Sequence, residues 1–124
     1  MPTLPRPPAP AGRPRALVLA PFSEARLAAL REIADLAYES WTDTRRLYDP
    51  EELGRRLGDD NFAILVIEAD FVFAEVFDAA PGLRLVGVCR NTTGHVDVEA
   101  ATDRRVLVVN TPSRNTQAVA EHAL

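Results

Sequence analysis

The sequence predicts an α/β domain: an open, doubly wound, parallel five-stranded sheet in three α/β/α layers. Leu83 to Cys89 and Val106 to Val109 are short apolar runs rich in Val and Leu, separated by a helical segment that opens at Asp97. Upstream, Ala16–Ala20 and Phe62–Ile67 are further apolar runs, and helical periodicity fills the stretches between. Hydrophobicity that is continuous instead of alternating marks strands covered on both faces, as crossover helices cover a parallel sheet. Ligands of such sheets are met at the carboxyl ends of the strands, where the loop Arg90–Val96 falls.

The elements follow in order. Residues 1–15 hold six of the ten prolines and no apolar periodicity, so they read as a flexible, extended tail. Ala16–Ala20 is the first buried strand, stopped by Pro21; Ser23 offers a cap, and Leu27, Leu30 and Ala34 space a first helix over about Glu24–Ile33. Leu36–Glu39 is short and mixed, as an edge strand would be, and Trp41 follows in a polar loop as a lid over the core. Asp49-Pro50-Glu51-Glu52 has capping-box spacing with proline in the first turn. The helix it opens, with Leu53 and Leu57 on one face, is expected to be short, exposed on most sides and stopped at a left-handed Gly58. Phe62–Ile67, the most apolar run, belongs at the centre of the sheet. Val72 with Val76 and Phe73 with Phe77 then form two core-filling ridges on a helix ending near Pro81-Gly82.

With 124 residues and 47% hydrophobic content, the chain is long enough to bury a core as one domain. Its net charge of -4 gives no electrostatic footprint for nucleic acid or an anionic membrane. A single cysteine forms no intrachain disulfide and no apolar stretch reads as secretory or spanning, so a reduced, cytoplasmic location is expected.

This layout resembles flavodoxin and receiver domains, a shape that serves several functions. A phospho-receiver needs an Asp ending the third strand and a Lys after the fifth; Glu68 and Asn110 stand there, and all fourteen basic residues are Arg. Pro21-Phe22-Ser23 is a poor flavin phosphate loop, and neither GxGxxG nor GxxxxGK[ST] occurs.

More specific are Val96-Asp97-Val98-Glu99-Ala100-Ala101, Val108-Val109-Asn110-Thr111-Pro112, Asn115 and Val119-Ala120-Glu121-His122, together with Ala79–Gly87 before the fourth strand. In motif and spacing they resemble the end of the first domain of D-isomer-specific 2-hydroxyacid dehydrogenases, the family that includes phosphoglycerate dehydrogenases. Before about Asn61 the likeness is architectural. The resemblance implies a flavodoxin-like substrate domain over 16–110, with 111–124 as hinge and start of the helix leading to a nucleotide-binding domain. It implies hydride transfer between NAD or NADP and a 2-hydroxy or 2-oxo acid, and commonly a homodimer. The proton-transferring His, its Glu and the polarising Arg of the family lie in or beyond the second domain, so these 124 residues alone are not expected to be active.

By the same resemblance, the loop after the fourth strand offers backbone N–H groups to the substrate carboxylate, an anion site that needs no cation. Here it reads Arg90-Asn91-Thr92-Thr93-Gly94, with Arg90 and Thr92 at positions where the family usually has Gly. Arg90 could grip an anionic substrate group with its guanidinium fork or be a solvated Arg. The resemblance places Asn91 beside the nicotinamide, Val119 against it across the cleft, and Asn115 within reach of substrate; Asn115 also reads as the cap of the last helix. Glu68, where Arg or a small polar residue is common, would either repel an acid or pair with Arg90.

His95 could donate to a loop carbonyl, and His122 sits inside a helix motif on the interdomain side. Neither joins Cys89 and Asp97 at zinc spacing, and Cys89 reads as a small apolar residue ending a strand. Arg105 replaces the family's usual helix-stop Gly, implying strain on the order of 1 kcal/mol if the backbone is left-handed there. The missing loop glycines and Glu68 leave a second reading open, a free-standing binding or regulatory module that has lost dehydrogenase chemistry.

Overall fold

A computed structural model describes residues 13–90 and 93–110. Five short strands, β1 (Arg15–Val18), β2 (Asp35–Tyr38), β3 (Ile64–Ile67), β4 (Leu85–Val88) and β5 (Leu107–Asn110), pair in the order β2-β1-β3-β4-β5. Every pairing is parallel. The helices are α1 (Glu24–Arg31), α2 (Trp41–Thr44), α3 (Pro50–Asp59), α4 (Ala74–Ala79) and α5 (Val98–Asp103).

Alternate residues of the central strands feed two cores. Leu17, Leu65 and Val86 face the larger one, which gathers Leu53 and Leu57 of α3, Val76 and Phe77 of α4, and Ala100 and Ala101 of α5. Val18 and Val66 face the smaller one, against which Leu30 of α1 packs. Both faces of the sheet are thereby covered, as continuous apolar strands require.

Several local expectations hold. Ser23 caps α1, Asp49 and Glu52 make a capping box at α3, and Asp97 caps α5 by accepting from the Ala100 amide at 2.9 Å. Arg105 is left-handed, with φ of 62°.

Other details differ, each for a visible reason. The first helix stops at Arg31, and Ile33 beyond it is 63% exposed. Trp41 opens the one-turn helix α2, where the Thr42 amide donates to the buried Ser40 hydroxyl at 3.3 Å, so it does not sit in a loop. Gly58 lies inside α3 and stops nothing; the left-handed residue after it is Asn61, with φ of 57°. What Gly58 provides is space, because a Cβ there would land on the carbonyl oxygen of Ala79. Gly54, one turn earlier, also faces Ala79, so α3 is pressed against α4 with Leu53, Gly54 and Leu57 buried and is not exposed on most sides. The expected double ridge is half-made. Val72 forms an isolated parallel bridge with Val96, and Phe73 only precedes α4 and stays 39% exposed against Phe71, so it does not fill the core. Val72 is held there by backbone hydrogen bonds to the segment before α5, a tertiary contact that helical spacing does not reveal.

Candidate functional site at the carboxyl edge

The chain leaves β4 through buried Cys89 to exposed Arg90, whose carbonyl accepts from the Asn110 side chain at 3.3 Å. The far end of this loop is fixed more firmly. The Val72 amide donates to the His95 carbonyl at 3.0 Å, and the Asp97 amide to the Val72 carbonyl at 2.9 Å. The His95 ring, 8% exposed, brings Nε2 to 3.0 Å from the Glu68 carbonyl. Since a carbonyl only accepts, Nε2 carries the proton. The loop is therefore anchored to the exit of β5 at one end and to that of β3 at the other.

Glu68 itself turns to β2. The Trp41 indole N–H donates to Glu68 Oε1 at 2.9 Å, so one residue ties Trp41 through its carboxylate and His95 through its carbonyl. Two residues on, Asp70 is 1% exposed; Oδ2 accepts from the Tyr48 amide at 2.9 Å, while Oδ1 has no partner among the described residues. Burial pushes the Asp70 carboxyl above its ordinary range, only partly opposed by the Tyr48 and Asp70 amides and by nearby His95. Glu39 is pulled the other way, held below the usual carboxylate range chiefly by hydrogen bonds from Arg56. A cleft of about 190 Å³ opens at the ends of β1, β2 and β3, bounded by Leu19, Glu39, Trp41, Arg46, Tyr48 and Asp70, and Glu68 adjoins it through its bond to Trp41.

Among the residues expected at the site, Arg90 is at the carboxyl edge and exposed. Asn91, Thr92, Asn115, Val119 and His122 lie outside the described residues, as do most of the tail and the segment after Asn110. Glu68 neither pairs with Arg90 nor stands without a partner; it bonds Trp41. Asp70, Tyr48 and the Trp41–Glu68 contact escaped the sequence reading. The signal available was Glu68-Ala69-Asp70, two carboxylates leaving the most apolar strand.

The described residues do not fit a dinucleotide. The β1–α1 turn, Ala20–Ser23, holds no glycine, and its Phe22 amide is already bonded to the Tyr38 hydroxyl at 3.1 Å. Among them no three His, Cys, Asp or Glu side chains gather as a metal site.

Fold and edge together define a flavodoxin-like α/β domain whose polar side chains collect at the carboxyl ends of its strands. The model of the D-isomer specific 2-hydroxyacid dehydrogenase catalytic domain matches residues 16–123, and the chain belongs to that family. It is 42% identical over 106 residues to the Bacillus subtilis protein YoaD, covering 85% of this chain and 31% of YoaD. To D-3-phosphoglycerate dehydrogenase 2, chloroplastic, of Arabidopsis thaliana it is 37% identical over 124 residues, 99% of this chain and 18% of the relative. Among solved structures, the TT0316 protein of Thermus thermophilus superposes with a TM-score of 0.68 at 31% identity, over 87% of this chain and 33% of that one. The chain thus spans about a third or less of the length of these relatives.

Proposed function

We propose that this domain is the substrate-holding part of an oxidoreductase that moves hydride between NAD(H) or NADP(H) and a 2-hydroxy or 2-oxo acid. The observation that carries the reading is the family match over residues 16–123, joined to a loop after β4 that is anchored at both ends on the carboxyl edge. In this reading backbone N–H groups of residues 90–94 receive the substrate carboxylate, and the exposed Arg90 adds a guanidinium fork. Asn91 and Thr92 line the same loop, Asn115 contacts substrate, and Asn91 and Val119 border the nicotinamide. The dinucleotide is held by a separate nucleotide-binding domain, since the β1–α1 turn does not fit it. Exposed Leu107 and Val109 on β5 support a further apolar contact on that side, and the proposed assembly is a homodimer in the cytoplasm.

The test is NADH and NADPH oxidation by the full-length polypeptide, with glyoxylate and hydroxypyruvate as probes, before and after Arg90→Met. Turnover whose KM rises about tenfold in the variant, with kcat changed less, supports the assignment. No nicotinamide turnover would favour the binding-module alternative, and an unmoved KM would remove Arg90 from the site.

A further inference from the structure

We infer that the cleft beside Trp41 is a subsite for a positively charged group of the ligand, a primary ammonium, and that it turns phosphate away. The inference rests on reading this edge of the sheet as the substrate groove. Its first support is the distribution of charge. Glu39 is matched by Arg56, which reaches Oε2 at 2.7 Å, and Arg46 at the rim is matched by Glu52 at 3.1 Å. Glu68 and Asp70, both just past β3, face no Arg within ion-pair distance among the described residues. The cleft therefore keeps one lining carboxyl, Asp70, that no Arg of the described residues pairs, and Glu68 adds a second unpaired carboxylate beside it, joined through Trp41.

The second support is independent of charge. Asp70 lines the cleft, is 1% exposed, and leaves Oδ1 without a donor among the described residues. Buried acceptors are nearly always partnered, so an unpartnered one in the lining of a cleft calls for a donor from outside. An ammonium brings three.

Third, the walls are aromatic. Trp41 and Tyr48 both border the cleft, and the Arg46 guanidinium already lies 5.2 Å from the Tyr48 ring centroid, a cation held on a π face. Trp41 presents an indole whose N–H is committed to Glu68, leaving its ring as the wall. A phosphate here would meet Asp70, with Glu68 close by on the Trp41 indole, and such like-charge juxtaposition discriminates strongly.

The experiment follows the indole N–H cross-peak of Trp41, the single tryptophan, in the 15N-labelled protein at constant ionic strength. The protein is titrated with n-butylammonium and, separately, with inorganic phosphate. The expected result is a saturable shift with n-butylammonium, about tenfold weaker in Glu68→Gln or Asp70→Asn, and none with phosphate. The amide oxygen introduced by Glu68→Gln can still accept from the indole, so that variant keeps the fold and the reporter. No saturable response to the ammonium, an affinity unchanged in both variants, or saturation by phosphate would each overturn the subsite. Neither nicotinamide nor oxo acid is present, so failure here leaves the dehydrogenase reading standing.

Discussion

Arg56 grips Glu39 with both arms of its guanidinium, Nη1 to Oε1 at 2.9 Å and Nη2 to Oε2 at 2.7 Å, while its Nε reaches Asp60 at 2.7 Å. The fork joins α3 to the end of β2 and also holds the Tyr48 hydroxyl, at 2.8 Å from Nη1, so it shapes one wall of the cleft. Both side chains are about a third exposed, 28% for Arg56 and 34% for Glu39, and solvent screening keeps the pair near 1 kcal/mol despite its geometry. Glu39→Gln should therefore lose roughly 1 kcal/mol in urea melts at pH 7. The carboxyl is held below its ordinary value of 4.5, so its contribution is present above that pH and lost as pH falls through the lowered folded value. Melts repeated towards pH 3 should show the gap between wild type and variant closing.

Asp70 should show the opposite sign. Its carboxyl is pushed above the ordinary 3.8 by burial, so the stability it allows is complete below that pH and lost as pH rises through the raised folded value. Asp70→Asn keeps an acceptor for the Tyr48 amide and removes a buried charge. The variant is expected to be more stable than wild type at pH 7 by about 1 kcal/mol, with the advantage vanishing below about pH 4. Equal pH profiles would show that Asp70 does not ionise against its surroundings.

Gly58→Ala tests the packing of α3 on α4. Alanine is favoured over glycine in a helix by about 1 kcal/mol, yet its methyl would meet the Ala79 carbonyl, which is backbone and cannot swing aside. A net loss of about 2 kcal/mol is expected in denaturant melts. Gly54→Ala meets the Ala79 Cβ at 2.9 Å, a milder overlap that a small shift of α4 relieves, and should cost less.

Arg105→Gly should stabilise. The residue sits at φ of 62° after α5, where a Cβ is strained and glycine is not. A gain of roughly 1 kcal/mol is expected, less the entropy glycine adds to the unfolded chain, read as a rise in Tm. A fall would mean that the Arg105 side chain contributes more than its backbone costs.

The sheet was legible because its strands are continuous apolar runs and its helix starts carry their own signals at Ser23, Asp49 and Asp97. Local chemistry decides such features, so spacing alone finds them. The misreadings occur where contacts across the chain prevail. Val72 and Phe73 have helical spacing but are drawn off by a bridge to Val96, and Gly58 reads as a stop although α4 is what requires it. The cleft was hidden for the same reason. Glu39, Tyr48, Arg56 and Asp70 come from four separate stretches, and only the parallel crossover brings β2 and β3 to either side of β1.

The place of β3 also bears on how the chain reaches its native state. Synthesis delivers β1 and β2 first, but β1 waits for its second neighbour until the register Ala16 with Ile64 can form, after α3 has emerged. Non-local parallel pairing of this kind is slow. Until it closes, Phe62–Ile67 is an uncharged apolar stretch exposed to other nascent chains, the sort of segment that nucleates aggregation. Conditions that delay this insertion should lower soluble yield well before they lower the stability of molecules already folded.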